Sequence, residues 1–408
     1  MISVREALAF ILNHIKAGPE TVVPTAEALG LVLAEDVRAP NDIPPFTNSA
    51  MDGYAVRSSD TRNASRRRPL TLKLLETVPA GRVPKKRICA GWATKIMTGA
   101  PLPRGADAVL IAEDSGEKNG SILCFADLRR GENVRRAGED VTRGERVLPK
   151  GTLIRPQEMG MLGALGRARV RVIRRPRVAI LATGSELVEA DRTPGPGQIR
   201  NCNNLSLIGL VRKYGAEPVN LGLVRDDARL LRARIIAAAS CDLVVTSGGV
   251  SVGEHDLVKT VLARLGTAVK FWQVRVKPGK PLAFGFVRGT PVFGLPGNPV
   301  SVIVSFEQFV RPALLRMRGL TKLTKPVIMA RCERRIEKPA DRVHLIRARI
   351  RRRRGKYYAA PAGLQGSAIL TSMVMADGLI IVPARKTVVR AGEMVHVMML
   401  DWSEEQKQ

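Results

Sequence analysis

Residues 241–256 read CDLVVTSGGVSVGEHD. The apolar run Leu243-Val244-Val245 does not alternate with polar residues, which marks a strand buried on both faces. Gly248-Gly249 end that strand in a tight turn. Beyond it, HDLVKTVLARLG sets Leu257, Val258, Val261, Leu262 and Leu265 along one side of a helix. The same grammar extends in both directions. Upstream lie the strand RVAILATG (177–184), the helix LSLIGLVRKYG (205–215), the strand EPVNLGLV (217–224) and the helix DDARLLRARIIAAAS (226–240). Downstream, KFWQVRV, PLAFGFV and PVFGLPG add strands, and NPVSVIVSFEQFVRPALL (298–315) closes with a helix. Strands alternating with helices predict an α/β domain over 176–320, an open, mostly parallel sheet with helices on both faces. In such folds ligands bind beyond the carboxyl ends of the strands, where this glycine turn lies.

The rest of the chain reads as flanking domains around that centre. Val4, Ala7, Leu8, Ile11, Leu12 and Ile15 form one helical face, opened by a Ser3/Glu6 capping box and stopped by Gly18-Pro19. A second helical pattern covers Thr25–Leu33. Residues 46–137 consist of short apolar runs broken by Gly, Pro and Asp, predicting a β-rich domain inserted into an N-terminal domain made of 1–45 and 138–175. The helical stretch 152–168 is expected to pair with the N-terminal helices. From 326 to 408 the texture is again short strands with an RRRRGK turn, a small C-terminal β domain. The predicted class is therefore a multidomain α/β and β protein.

Composition narrows the function. The chain has 408 residues, 45% of them hydrophobic, and 66 Lys+Arg against 37 Asp+Glu give a formal charge of +29. Such a balance suits a nucleic acid, an anionic surface or polyanionic substrates. The densest stretch, 321–360, holds 14 Lys+Arg and 3 Asp+Glu, including Arg351–Arg354. Its plain reading is a solvated hairpin tip. The five cysteines contain no CxxC pair, against a zinc site or a secreted disulfide framework. No signal peptide or membrane-length apolar run is visible, so a cytoplasmic protein is expected.

Charged residues gather at the predicted strand ends. The glycine turn after residue 247 matches neither GxxxxGK[ST] nor GxGxxG, yet its backbone N–H groups can approach an anion. A turn that merely needs positive φ is the competing reading. His255 is read as an orienting or packing residue. ATGSEL supplies Glu186, LVRDD supplies Asp226 and Asp227, VKPGKP supplies Lys277 and Lys280, and GLPGNP supplies Asn298. Carboxylates that hold Mg²⁺ through oxygen, beside lysines that balance phosphate, suit metal-assisted chemistry on a phosphate ester. NSAMDGYAV (48–56) and RRAGEDV (135–141) put Asp52, Arg135, Arg136, Glu139 and Asp140 in turns whose plain reading is solvated loop.

PPFTNSAMDGYAV, IMTGAPLPRGADAV, RRAGEDV, TGSEL, NLGLVRDD, TSGGVSVGEHD, KPGKPLAFG, GLPGNPVS and QGSAILTSMVMADGLIIVP occur in that order between about residues 5 and 400. Together they resemble the successive motifs of the molybdopterin molybdenumtransferases, the MoeA group that includes the gephyrin E domain. The resemblance implies four domains per subunit and a homodimer with its active site between the α/β domain of one subunit and the inserted β domain of the other. It implies that adenylylated molybdopterin and molybdate yield molybdenum cofactor and AMP with Mg²⁺, the substrate's dithiolene supplying the sulfur ligands. Carried over by motif, Asp52, Thr98, Asp140, Glu186, Asp226 and Asp256 fall at catalytic positions, with Glu186, Asp226 and Asp256 as Mg²⁺ ligands. Gly248, Gly249, Ser251, Gly253, Lys277, Lys280, Pro296, Asn298, Pro299, Arg347 and Ser367 fall at substrate- or phosphate-binding positions.

Three positions depart from the pattern. Gln273 stands where several members carry lysine, with Arg275 nearby as a substitute cation. Arg200 stands where members often show an uncharged side chain, and Ala348 replaces a usual glycine after Arg347. The implied partners are a second copy of the chain, the small-molecule substrates, and transient contacts with the molybdopterin adenylyltransferase and acceptor molybdoenzymes. No membrane partner is implied. Competing readings are a nucleotide pyrophosphatase of the competence-damage type, which shares only the α/β module, and a non-catalytic scaffold or nucleic-acid binder. Against the last, no RNP-like motif or DNA-reading helix is present.

Overall fold

The computed structural model describes residues 1–250, 257–265 and 270–401. Two compact units emerge: Met1–Ala34 with Gly151–Arg155 and the chain from Val170 onward, and Glu35–Lys150 with Pro156–Arg169.

The first unit is built on the predicted α/β domain. Its elements are β1 (Arg177–Thr183), α1 (Asn203–Lys213), β2 (Glu217–Val224), α2 (Ala228–Ala238), β3 (Leu243–Ser247), α3 (Leu257–Arg264), β4 (Lys270–Gln273), β5 (Pro281–Val287), β6 (Thr290–Leu295) and α4 (Pro299–Ser305). They form one sheet in the order β2-β1-β3-β6-β5-β4. The first four strands are parallel, while β5 and β4 are antiparallel additions at the edge.

Side-chain alternation explains why helices cover both faces. Val178 and Ile180 of β1, with Leu243 and Val245 of β3, enter one core together with α1 and α4. Ala179 and Leu181, with Val244, enter the other together with Leu231 and Ile235 of α2 and Val258 and Val261 of α3. All of these are buried. At roughly 25 cal/mol per Å² of apolar area, both faces contribute, so the strand sequence has no polar side to show.

The N-terminal helix, Val4–His14, starts on the predicted capping box: Ser3 Oγ accepts from Glu6 N–H at 3.1 Å, and the Glu6 carboxylate accepts from Ser3 N–H at 2.6 Å. Ala7, Ile11 and Ile15 pack into the core over the first face of the sheet. They lie against the helix that continues from α4 through a π-helical turn, Phe306–Val310, into Arg311–Met317. The expected helix over 25–33 is absent. A 3₁₀ turn, Thr25–Glu27, leads instead to a short strand, Val32–Leu33, that pairs with Val172 and Ile173. Gly30 sits at φ +73°, which breaks any helix there, and burial of Val32 and Leu33 favours the pairing. The helix Pro156–Ala164 belongs to the second unit, not to the unit of the N-terminal helix.

The C-terminal part closes into a small barrel of β7 (Val327–Cys332), β8 (Val343–Arg353), β9 (Lys356–Pro361), β10 (Gly378–Val382) and β11 (Met394–Met399). Pairing of β8 with β10 completes it. The RRRRGK turn is the β8–β9 hairpin, with Arg354 and Gly355 at positive φ. Val276–Lys277 leaves the α/β domain to pair in parallel with β8, setting Lys277 beside His344.

The second unit carries a six-stranded sheet from Gly53–Val56, Ser65–Val78, Trp92–Ile96, Ala108–Ile111, Ser115–Lys118 and Ser121–Ala126. Its glycine requirement is specific: a Cβ at Gly53 would lie 2.0 Å from the Leu110 carbonyl oxygen across the ladder.

One buried polar cluster ties the helix after α4 to its surroundings. The Glu307 carboxylate lies 2.8 and 2.9 Å from the Tyr214 hydroxyl and 3.1 Å from Lys325 Nζ, and Lys325 also donates to the Leu400 carbonyl. Burial, reinforced by the Glu307 carboxylate, raises the Tyr214 hydroxyl's pKa, and burial lowers that of Lys325. Removing one partner strands the others in low dielectric. Glu307→Ala should therefore cost about 3–5 kcal/mol, and Tyr214→Phe about 1 kcal/mol. Urea denaturation of both variants beside the unaltered chain measures the two losses, and midpoints equal to that chain's would show that the cluster contributes nothing.

Candidate active site

The carboxyl ends of β1, β2, β3 and β6 open on one cleft of about 800 Å³, whose wall also includes the 276–281 turn and residues of the C-terminal barrel. Parallel strands force this, because the loop that follows each strand leaves on the same edge. After β1 come Thr183, Gly184 and Glu186, and after β2 comes Asp226. Asp226 accepts from Thr183 Oγ1 at 2.9 Å, from Ser185 N–H at 2.9 Å and from Ser185 Oγ at 3.0 Å, so neutral donors fix its orientation. Its neighbour Asp227 instead caps α2, accepting from the N–H groups of Arg229 and Leu230. Those bonds lower its pKa.

After β3, Gly248 and Gly249 have φ of +89° and +65°. A Cβ at Gly248 would sit 2.5 Å from the Thr183 carbonyl oxygen, and one at Gly249 would sit 2.5 Å from Val258 Cγ2. The turn needs glycine geometrically, and it brings bare backbone to the cleft wall. The loop's continuation, with Ser251, Gly253 and Asp256, lies outside the described residues.

Lys277 and Lys280 line the cleft from the far side of the sheet edge, and Pro296, Asn298 and Pro299 line it after β6. Asn298 and Pro299 open α4, yet the Asn298 side chain does not cap the helix. Its Nδ2 donates to Ser367 Oγ at 3.0 Å, while Val300 N–H donates to the Ser367 carbonyl at 3.1 Å. A loop of the C-terminal barrel is thereby fastened to the start of α4 at the cleft wall.

Arg347 is placed differently from the phosphate-contacting position expected of it. It is 1% exposed and is absent from the cleft wall. Its Nε donates to Ser372 Oγ at 3.0 Å, and its Nη2 donates to the carbonyls of Gly366 at 2.9 Å and Leu364 at 3.3 Å. Burial without a carboxylate lowers its pKa to about 10. The physical reason is cover: Arg347 lies opposite Leu379 on β10, and the 364–372 segment that accepts its hydrogen bonds closes over it. Ala348, also fully buried, packs in the barrel core.

Sequence reasoning missed part of the wall. Asn203 donates to Ser247 Oγ at 2.8 Å and to the Gly297 carbonyl at 2.7 Å, joining the ends of β3 and β6. Asn201, Cys202 and Arg342 also line the cleft, as does Arg200. The polar run RNCNN (200–204) directly before a helix was the available signal. For Arg342 there was none. Among the described residues, the wall carries four cations (Arg200, Lys277, Lys280, Arg342) and two carboxylates (Glu186, Asp226). A surplus of positive charge in a concave site favours an anionic ligand. No three Asp, Glu, His or Cys side chains among the described residues gather as a metal centre.

In the second unit, Asp52 and Thr98, 46 residues apart, form one hydrogen-bonded pair. Asp52 Oδ1 accepts from Thr98 N–H at 2.7 Å and from Thr98 Oγ1 at 2.9 Å. Asp140 is exposed, and its backbone N–H donates to the Ile43 carbonyl at 3.0 Å.

An open α/β domain with a glycine turn and a cationic cleft at its strand ends, carrying a small C-terminal β barrel, defines a class of anion-binding enzyme folds. Comparison with known proteins narrows it. The family models for the MoeA N-terminal region (domain I and II), the probable molybdopterin binding domain and the MoeA C-terminal region (domain IV) match residues 2–166, 179–316 and 329–400. Molybdopterin molybdenumtransferase of Nostoc sp. is 35% identical over 98% of this chain and 94% of its own. Molybdopterin molybdenumtransferase 2 of Mycobacterium tuberculosis is 38% identical over 97% and 99%. The crystal structure of the molybdopterin biosynthesis MoeA protein of Pyrococcus horikoshii OT3 superimposes with a TM-score of 0.83 at 34% identity, covering 98% of this chain and 100% of that one. The chain belongs to the molybdopterin molybdenumtransferase family.

The Asp52–Thr98 pair makes a titration testable. The Thr98 backbone N–H, and then its hydroxyl, hold the Asp52 carboxyl below its usual range. A depressed carboxylate pKa means the pair is intact above the ordinary carboxylate value and is lost as pH falls through the lowered one. Thr98→Val removes the hydroxyl bond and should move the Asp52 midpoint upward in a carboxyl-detected NMR titration. An unmoved midpoint would leave the backbone N–H as the whole cause.

Proposed function

We propose that the protein inserts molybdate into adenylylated molybdopterin and releases AMP, completing molybdenum cofactor synthesis. The observation that carries this reading is the cleft at the strand ends, where Glu186 and Asp226 share a wall with Lys277, Lys280 and the glycine turn. Matches across the whole chain weigh against a pyrophosphatase that shares only the α/β module.

In this reading the lysines balance the phosphates, and the bare backbone of Gly248 and Gly249 lets a phosphate approach closely. Glu186, Asp226 and Asp256 would hold Mg²⁺. The donor set fits a hard cation: a Cβ at Gly184 would lie 2.6 Å from a Glu186 oxygen, so glycine there makes room for the carboxylate. Among the described residues, Asp226 accepts from these three donors alone. When bound, Mg²⁺ would polarise the phosphoanhydride. The P–O bond to the pterin phosphate breaks, AMP leaves with the adenylyl phosphorus, and an oxygen from water or molybdate takes the vacated position on that phosphorus. Asn298 keeps Ser367 at the wall, and Arg347 holds the Leu364 and Gly366 carbonyls before it and the Ser372 hydroxyl after it, so its part is to position Ser367.

Asp52, Thr98 and Asp140 would complete the site from the second copy of a homodimer. The protein would work in the cytoplasm, with transient contacts to the enzyme that adenylylates molybdopterin and to acceptor molybdoenzymes. Consistent with this, no helix among the described residues is long and apolar enough to cross a membrane.

The test is AMP release from adenylylated molybdopterin with molybdate and Mg²⁺. Asp226→Asn, Glu186→Gln and Asp256→Asn should each lower the rate by at least about 100-fold with an unchanged circular dichroism spectrum. Normal turnover by these variants would remove the site assignment, and no release by the unaltered chain would remove the function. For the dimer, inactive Asp52→Asn and Asp226→Asn chains should regain part of the activity when mixed. Mixtures that stay inactive would place both residues in one chain's site.

A further inference from the structure

The outer face of the C-terminal barrel holds a second concentration of positive charge, built by strand alternation. Ile346 and Ala348 of β8 and Ala359 of β9 point into the barrel core. The intervening residues Arg349, Arg351 and Arg353 therefore point outward, opposite Ala360, Tyr358 and Lys356. Successive outward positions on a strand are about 6.7 Å apart, so the guanidinium groups form a close row.

This row borders a hollow and not a flat surface. A cavity of about 320 Å³ is lined by Glu333, Arg334, Arg349, Arg351, the 360–363 segment and Met375. Its floor is Ala360-Pro361-Ala362-Gly363, residues too small to fill it. Gly363 is at φ +60°, where a side chain is strained, so the backbone there favours glycine. The wall has one carboxylate, Glu333, whose partner is Arg353 at 3.5 Å. Among the described residues, the side chains of Arg334, Arg349 and Arg351 make neither an ion pair nor a hydrogen bond. Three uncompensated guanidinium groups around one hollow repel each other, and a multivalent anion relieves that repulsion.

We propose that this hollow is a second anion site, separate from the cleft, that takes the oligophosphate group of a small ligand through Arg334, Arg349 and Arg351. Planar guanidinium forks match phosphate oxygens two at a time, which lysines would not. The volume lies at the lower end of small-molecule pockets, about 300–1,000 Å³. A row on a long groove would suit a polymer, whereas a hollow of this size suits a di- or triphosphate.

The test is calorimetric titration of the full chain with tripolyphosphate at physiological salt. The background is Lys277→Gln with Lys280→Gln, so that the cleft does not compete. One site per chain should remain, and adding Arg349→Gln with Arg351→Gln should weaken it at least about tenfold. Arg349→Lys with Arg351→Lys should weaken it less. The proposal is overturned if that background binds no tripolyphosphate, or if the glutamine pair leaves binding unchanged. It is also overturned if a 20-nucleotide single strand binds there more tightly than tripolyphosphate, since the face would then serve nucleic acid. The glutamine pair alone should leave AMP release intact, so the hollow and the cleft stand or fall separately.

Discussion

Burial of both faces of the central sheet is the constraint on which the rest of the first unit depends. Once Val178, Ala179, Ile180 and Leu181 are all committed to cores, alternately above and below, the strand has no face left for chemistry. Polar function is displaced to the strand ends, and parallel pairing gathers those ends on one edge. The cleft is thus a by-product of how the sheet is covered. Its polar residues then play two parts: some face the cavity, and others, such as Asp227 and Asn203, hold the loops in register.

The same constraint explains what could be read from the chain. Continuous apolar strands, Gly-Gly after β3 and the Ser3/Glu6 box are local signals whose physics is contained within a few residues, and they led to the right elements. Residues 25–33 misled because apolar spacing there reflects burial in a short ladder, with Gly30 setting the break. The pairing of Asp52 with Thr98 and the tether of Asn298 to Ser367 join residues 46 and 69 positions apart. Nothing local announces such contacts. Thr98 and Ser367 entered the sequence reading only through resemblance to a family whose motifs lie in the same order, and the contacts themselves did not enter it.

Arg347 shows the limit of carrying a role over by motif. A guanidinium at a given place in a sequence says nothing about whether it is solvated. Here the 364–372 segment covers it, and its bonds go to a hydroxyl and two carbonyls of that segment. The exposed arginines two and four positions further along the same strand meet the opposite fate. Arg347 shares its face of β8 with them, so the 364–372 segment over it divides one basic run into a buried structural cation and a solvent-facing row, and the net charge of +29 is not uniform in its consequences.

The docking of the N-terminal helix carries a cost in time. Ala7, Ile11 and Ile15 leave the ribosome early, but the helix through Phe306–Met317 against which they pack is made about 300 residues later. At roughly 5–20 residues per second, that is an interval of about 15–60 s. Eleven residues are too few to hold a helix firmly in water, even with a capping box, so for all of it the segment is an apolar stretch whose packing partner has not yet been made.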